Sequence, residues 1–170
     1  MLSRTAENLY WLTRYMERAE TMARLLEVGY RMALMPSAGE GYRNEWASLV
    51  AAAGSSEGFE AKFGEEFKQR DVETWLFFDR ENSSSVVSSI ETARQNGRAV
   101  RTALTTEMWD ALNGAYIELR EIARKPRSET TLPHLCDWTK RQGALFRGTM
   151  DGTHLQNDGY DFMNLGYYIE

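Results

Sequence analysis

Charged side chains that could bind an anion or carry a proton recur at helical spacing near the N-terminus of this chain. Arg14, Glu17 and Arg18 are three and four residues apart, and Thr21 and Arg24 continue the spacing. On an α-helix these side chains share one face. The simplest interpretation is a solvated face with ion pairs worth about 0.2–0.5 kcal/mol each. The alternative is an inward cluster that binds a ligand or a partner, and the pattern leaves both open.

A second row of charges lies in the middle of the chain and consists of three arginines at i, i+4 and i+7: Arg94, Arg98 and Arg101. Arginine grips carboxylate and phosphate groups through two hydrogen bonds, so the row could form an anion site. Alternatively, the three arginines lie at the border of the core, where each side chain reaches solvent and pairs with a glutamate. The candidate glutamates are Glu17, Glu91 and Glu170.

A helix start rich in side-chain oxygens precedes this row, at Asn82-Ser83-Ser84. The simplest interpretation is a plain cap, with Ser83 or Ser84 accepting a backbone N–H. A helix N-terminus also attracts anions through its free N–H groups. Arg94 lies about 15 Å further along the helix axis, so one small ligand would not contact both groups.

Residue types that support other chemistry are scarce. Cys136 is the only cysteine, which excludes an internal disulfide and a thiolate-built metal site. His134 is two positions away, and two helix positions diverge by about 200°, which argues against a Cys–His pair. The sequence contains no phosphate-binding glycine loop and no His-Glu-x-x-His motif. We therefore predict no metal and no cofactor, and the catalytic residues stay unassigned.

Composition narrows the function classes further. The 170 residues carry a net charge of −5, which argues against nonspecific nucleic-acid binding. The longest uncharged run, from Trp46 to Ser56, has 11 residues, whereas a membrane span needs about 20 apolar ones. Arg4 and Glu7 precede any apolar run, unlike a secretory signal. We expect a cytoplasmic protein, since a single cysteine fits a reducing compartment. We also expect it to bind neither nucleic acid nor a membrane.

The elements that must position these side chains are helices. Apolar residues recur at spacings of three, four and seven, and period-two alternation is missing. The sequence therefore predicts an all-α helical bundle of about six helices, in a single domain over residues 1–170. The first helix is long, with Ser3 or Thr5 as its cap, and ends at Pro36 and Gly39.

The clearest periodicity lies between residues 82 and 125. One helix has the apolar stripe Val86, Ile90, Ala93, Gly97, Val100 and Leu104. The next helix begins at Thr105 and stops at Lys125-Pro126. A further helix beginning at Thr131 has a weaker face: Leu135, Trp138, Gln142, Leu145 and Met150. The last helix is expected to begin near Asp161.

Residues 41–80 carry weaker signals. Residues 44–53 read as a short helix, and residues 54–64 as a loop with one turn of helix. Residues 71–78 read as a helix capped by Asp71, with the expected buried side chains Val72, Trp75, Leu76 and Phe78.

A short repeat links the two ends of the chain. Residues 12–17 read Leu-Thr-Arg-Tyr-Met-Glu, and residues 165–170 read Leu-Gly-Tyr-Tyr-Ile-Glu. Leucine, tyrosine and glutamate recur at identical spacing. We expect the chain to be the front half of a longer unit, cut where a second copy begins.

Three blocks of the chain resemble the bacterial alpha-E domain family, an all-helical family with a Glu-Arg motif. The first block is residues 1–12 with 14–20, in which Glu17-Arg18 matches the motif. The second comprises residues 82–86, 89–90, 93–96, 98, 100–101, 107, 109 and 112–113. The third comprises residues 158–160, 162, 165–166 and 170. The chain resembles the N-terminal half of longer family members, and departs from them at Gly97 (usually Ala) and Tyr167 (often Arg).

The resemblance implies a place in peptide chemistry. Such domains are typically encoded beside a circularly permuted ATP-grasp protein, with transglutaminase-like and proteasome-like peptidases as frequent neighbours. We expect an accessory or scaffold component of a peptide ligation or modification system, more a partner than a stand-alone enzyme. Its Glu/Arg cluster would bind a partner protein or an anionic or peptidic ligand.

Two alternatives remain open at this point. One is an acyl or aminoacyl transfer enzyme that uses Glu17 and the arginine row. The other is a structural oligomerisation module, in which a homodimer supplies the missing half. The candidate binding residues are Arg14, Glu17, Arg18, Asn82, Ser83, Ser84, Arg94, Arg98, Arg101 and Glu170.

Overall fold

The computed structural model describes residues 2–35 and 45–170, and regular structure there is helical throughout. Eight α-helices occur in these residues: α1 (Ser3–Ala33), α2 (Glu45–Ala52), α3 (Ser56–Phe63), α4 (Gln69–Glu73), α5 (Val86–Ala99), α6 (Thr106–Arg124), α7 (Leu132–Thr153) and α8 (Asp158–Ile169). The all-α prediction is confirmed. The helix count exceeds the expected six or so, chiefly because the short central segments are more helical than their composition indicates.

Helix α1 is the axis on which the bundle is built. Its 31 residues extend about 45 Å, and α5, α7 and α8 all pack against it. Leu2 occupies the N-cap position, and no side chain caps the helix. The predicted cap at Ser3 or Thr5 is therefore wrong, and the predicted stop at Pro36 and Gly39 lies outside the described residues.

Two groups of buried apolar side chains fill the bundle along α1. Its second half, represented by Leu26, packs into a core with Trp75 and Ile90. Its first half, represented by Leu12, packs into another with Met108. One long helix thus contributes to both parts of the core, because its apolar stripe repeats every three or four residues over its whole length.

Residues 54–64, predicted to be a loop with one turn of helix, contain the eight-residue helix α3. Its one buried residue, Phe59, is fully enclosed and stacks on Phe63 and Phe67, with ring centroids 5.1 and 4.7 Å apart. A single aromatic anchor gives almost no periodic signal over eight residues, which explains why the pattern underestimated this helix.

Helix α4 starts at Gln69 and continues as a π-helical turn, Thr74–Phe78. Lys68 rather than Asp71 precedes its first residue. The wider π turn changes which aromatic residue faces the core. Phe77 is fully buried and Phe78 only half-buried, the reverse of the prediction for Phe78.

The two best-patterned helices follow the prediction, apart from their ends. The predicted stripe from Val86 to Leu104 is buried throughout, but the prediction of one helix along it is wrong, because α5 ends at Ala99 and a 3-10 turn, Arg101–Ala103, follows. However, Ser85 caps α5 by accepting the Ser88 N–H at 3.1 Å, so the predicted cap at Ser83 or Ser84 is wrong. Thr105 caps α6 by accepting the Met108 N–H at 3.2 Å, as predicted.

The last two helices differ from their predicted faces or starts. On α7, Leu145 is 54% exposed, while Phe146 is fully buried in its place. Helix α8 begins three residues before Asp161, where Asn157 accepts backbone N–H groups of the first turn. Among the helices in residues 2–35 and 45–170, none is both long and apolar enough to cross a membrane.

Candidate functional site

Helices α1 and α8 cross at very short distance, and this crossing positions the candidate site. The Thr13 hydroxyl, fully buried, donates to the Met163 carbonyl at 2.8 Å. A Cβ on Gly166 would lie 2.5 Å from the Tyr10 carbonyl oxygen and would overlap the Thr13 hydroxyl. Thr13 and Gly166 are matched positions of the sequence repeat, so the two copies lie face to face.

Beside this crossing, two arginines of α1 hold the carboxylate at the end of α8. Arg14 Nε donates to Glu170 Oε2 at 2.7 Å, and Arg18 Nε donates to Glu170 Oε1 at 2.6 Å. Arg14 also donates to the Tyr10 hydroxyl at 2.7 Å. Burial alone would raise the pKa of Glu170, but hydrogen bonds from Arg18 and Arg14 outweigh it and lower the pKa. We call these three charged residues the carboxylate clamp: Arg14, Arg18 and Glu170.

Glu17 does not join the clamp. Neighbouring helix residues point about 100° apart, so Glu17 and Arg18 face different surroundings. Glu17 lies 3.8 Å from Arg24 Nη1, and Glu20 binds the same arginine. Burial raises the pKa of Glu17, and the Glu20 charge raises it further, while Arg24 and Arg147 oppose the shift.

A tyrosine completes this second group of side chains, which we call the Glu17 cluster: Glu17, Glu20, Arg24, Arg147 and Tyr167. The Arg147 guanidinium lies 4.9 Å from the centroid of the Tyr167 ring. The Tyr167 hydroxyl is buried and has no hydrogen-bond partner among the described residues. Burial, followed by the Glu17 charge, raises the pKa of Tyr167. The Glu17 cluster thus contains a partly buried carboxylate on α1 and a buried hydroxyl on α8 that is unpaired among the described residues, groups able to hold a proton or a polar ligand group.

Sequence reasoning assigned no role to Arg147 or Tyr167. The glycines inside α7 and α8 were a partial signal, because interior glycine costs helix stability unless close packing requires it. These helices contain five glycines, however, and the sequence does not single out Gly143 and Gly166 among them. A Cβ on Gly143 would overlap the Glu20 carboxylate. Both glycines therefore mark where α1 approaches its neighbours closely.

The arginine row lies apart from both groups. Arg94 donates to Asn113 at 2.8 Å and lies over the Tyr116 ring at 4.3 Å, while Arg101 lies over Trp109 at 5.4 Å. Arg98 is exposed. In the part of the chain that the structure describes, no ion pair joins the row to a glutamate.

The predicted pairing of the row with Glu17, Glu91 or Glu170 is therefore wrong. Glu91 binds Arg80 at 2.7 Å instead, and the other two belong to the groups above. The negative faces of aromatic rings on α6 take the place of a carboxylate, since cations are attracted to them.

The Asn82-Ser83-Ser84 segment has a local structural role. Asn82 is buried, donates to the Trp75 carbonyl at 2.9 Å and accepts the Ser84 N–H at 3.0 Å. These bonds tie the π-helical turn to the start of α5. Ser83 is exposed.

Thiol chemistry at Cys136 and metal binding are two further possibilities. Cys136 is fully buried, and burial raises its pKa to about 12, which makes the thiol unreactive. Within residues 2–35 and 45–170, no three His, Cys, Asp or Glu side chains form a group that could hold a metal ion.

The sequence model of one protein family, described as a predicted alpha-helical domain with a conserved ER motif, matches residues 1–170. The chain belongs to the Alpha-E family. Its sequence contains one Glu-Arg dipeptide, Glu17-Arg18, so this pair is the ER motif of this Alpha-E domain. The arginine of the motif belongs to the carboxylate clamp, and the glutamate belongs to the Glu17 cluster. No curated protein and no solved structure matches the chain significantly.

An exposed apolar surface adjoins the carboxylate clamp of the Alpha-E domain. Phe162, Leu165 and Ile169 lie three and four residues apart on α8 and are 38%, 45% and 52% exposed. A cleft of about 560 Å³ opens between two of them, Phe162 and Leu165, and the start of α1, where Ala6 and Tyr10 line it. We call this the α1–α8 surface.

Proposed function

We propose that this Alpha-E domain is an accessory or scaffold component of an ATP-grasp-linked peptide ligation or modification system, without catalysis of its own. It binds a partner protein, or an anionic or peptidic ligand, through the α1–α8 surface and the carboxylate clamp. The observation that carries this proposal is the uncovered apolar face of α8 beside paired charges. An apolar centre with a polar rim is typical of protein–protein interfaces.

The partner we propose is a circularly permuted ATP-grasp protein. Such an enzyme would form the amide bond through an acyl phosphate, and this domain would hold the enzyme or its peptide. Transglutaminase-like and proteasome-like peptidases are further candidate partners, and the proposed assembly is cytoplasmic. This division of work is inferred from the family resemblance, together with the surface described above.

The engagement of the arginine row supports an accessory role. A transferase using Glu17 with Arg94 and Arg101 would require these groups to face one substrate. Instead, Arg94 is held by Asn113 and by aromatic rings of α6, which favours a role in helix packing. Arg18, the motif arginine, is likewise occupied by Glu170, which favours a role in shaping the docking surface.

The test is light scattering of the chain, alone and mixed with the ATP-grasp protein at micromolar concentration. We expect a larger complex on mixing. Leu165→Glu should weaken it at least tenfold, because a charge replaces an apolar contact at the surface centre. Leu145→Glu is the matched control, since Leu145 is 54% exposed on another helix.

Two results would contradict the proposal. Clean separation of the two proteins would remove the ATP-grasp protein as partner. A homodimer that ignores this protein would indicate the oligomerisation module instead.

A further inference from the structure

A separate cleft of about 550 Å³ lies between α4 with its π-helical turn and the end of α6. Three cations line it: Arg70, Lys125 and Arg127. Glu73 is the one acidic residue in the lining, so the lining carries a net charge of +2. The cleft shares no lining residue with the carboxylate clamp, the Glu17 cluster or the α1–α8 surface.

The charges of these cations are not compensated by ion pairs within residues 2–35 and 45–170. Glu73 accepts a hydrogen bond from Gln69 at 2.7 Å. Nine of the 19 lysines and arginines in the described residues form ion pairs, so an unpaired cation is not by itself distinctive. These three differ in that they line one concavity, which leaves a site for an anion between them.

Arg127 is the most constrained of the three. Its guanidinium carbon lies 3.5 Å from the centroid of the Phe78 ring, and Nη2 donates to Thr74 Oγ1 at 3.2 Å. Nη1 is buried and has no hydrogen-bond partner among the described residues. Burial lowers the pKa of Arg127, and Arg70 adds to this, while Glu73 opposes it. The guanidinium of Arg127 has therefore lost part of its hydration, and the hydrogen bond to Thr74 replaces only part of it. An anion beside the guanidinium would compensate for the rest.

We propose that this cleft binds a small molecule carrying a phosphate group and an apolar part. Arg70, Lys125 and Arg127 hold the phosphate, whose two negative charges match the net charge of the lining. Phe78, Ile122 and Leu135 form the apolar wall that contacts the remainder of the molecule. The volume lies within the range of about 300–1,000 Å³ typical of small-molecule sites.

The π-helical turn is the element that builds this site. It brings Thr74, which accepts from Arg127, and Phe78, which stacks on Arg127, to the same side of one turn. Thr74 and Phe78 are four residues apart, a spacing that puts side chains on one side of a helix. Such turns occur frequently at functional sites.

The proposal can be tested by calorimetric titration of the full chain with phenyl phosphate and, separately, with inorganic phosphate. Ionic strength is held low and constant, because these contacts are screened by salt. We expect saturable one-to-one binding, with phenyl phosphate about tenfold tighter than inorganic phosphate because its ring contacts the apolar wall. Equal affinities would overturn the apolar part of the proposal, and no saturable binding of either probe would overturn it entirely.

Variants distinguish the site from general charge attraction. Arg127→Gln should abolish phenyl phosphate binding, and the double variant Arg70→Gln/Lys125→Gln should weaken it at least tenfold. The double variant changes two exposed side chains, so it stays informative should Arg127→Gln fold poorly. Arg4→Gln/Arg141→Gln removes two exposed arginines on α1 and α7, so this double variant is the charge-matched control and should bind as the unmodified protein does. An equal loss in the control and in Arg70→Gln/Lys125→Gln would overturn the proposal.

Discussion

Replacing Gly166 with alanine should destabilise the bundle, although alanine is the better helix former. The added Cβ would lie 2.5 Å from the Tyr10 carbonyl oxygen and 3.2 Å from the Arg14 nitrogen, and would overlap the Thr13 hydroxyl. Backbone atoms cannot rotate away as the end of a flexible side chain can. Helices α1 and α8 must therefore separate.

The magnitude follows from what the separation disrupts. Forcing a methyl group into a close-packed contact costs about 1–3 kcal/mol. Loss of the buried hydrogen bond from Thr13 to Met163 adds about 0.5–1.5 kcal/mol. The gain in helix propensity returns up to about 1 kcal/mol. The expected net loss is about 0.5–4.5 kcal/mol, which corresponds to a drop of roughly 1–18 °C in Tm for a chain of this size.

The assay is urea unfolding followed by circular dichroism at pH 7, with Gly148→Ala as the control. Gly148 also lies inside a helix, α7, but a Cβ there meets nothing within 4 Å. This control should be stabilised by about 0.5–1 kcal/mol, because it gains propensity without a clash. The difference between the two variants isolates the cost of the α1–α8 contact.

One result would refute this reasoning. If Gly166→Ala were as stable as Gly148→Ala, with an unchanged urea m-value, the close crossing would not be a constraint on this fold. The position of the carboxylate clamp, which depends on that crossing, would then need another explanation.

Three further predictions concern single side chains. Glu17→Gln should raise the free energy of unfolding at pH 7, because the pKa of Glu17 is raised in the folded state. The protonated Glu17 side chain stabilises the fold fully only below its unfolded pKa near 4.5, and this stabilisation is lost as pH rises through its folded pKa. Glu170→Gln should do the opposite and lower the free energy of unfolding at pH 7 by about 1 kcal/mol. The pKa of Glu170 is lowered in the folded state, so the ionised side chain stabilises the fold above its unfolded pKa. This stabilisation is lost as pH falls through the folded pKa. Urea unfolding between pH 3 and 8 checks both, and variants that shift stability in the same direction would contradict the assigned pKa directions. Cys136 should react with a thiol reagent at pH 8 about a thousandfold more slowly in the native than in the unfolded protein, since burial raises its pKa from 9.0 to about 12; comparable rates would contradict its burial.

Features that depend on neighbours along the chain were predictable. The stripe from Val86 to Leu104 is buried as its spacing indicated, and Thr105 caps α6 as predicted. The pairing of Glu170 with Arg14 and Arg18 was not predicted, since the repeat at the two ends of the chain does not show that they meet. In the predictable cases the decisive interactions, capping and one-sided burial, are set by residues within a turn or two.

Features that depend on which helices meet were not predictable. Nothing in the spacing of Arg94 and Arg101 indicates that aromatic rings of α6 would take the place of glutamates. The π-helical turn after Glu73 rotated Phe77 inward, a change that no periodic template contains.

The ER motif shows the same division. Its helical context and polar character follow from the local pattern, because every residue of an α-helix has a fixed direction relative to its neighbours. Which partners Glu17 and Arg18 meet was decided by the approach of α7 and α8 to α1, through Gly143 and Gly166. Packing of distant segments brings α8 with Tyr167 against α1 and the Glu170 carboxylate to Arg18, and side-chain spacing within one helix carries no information about either.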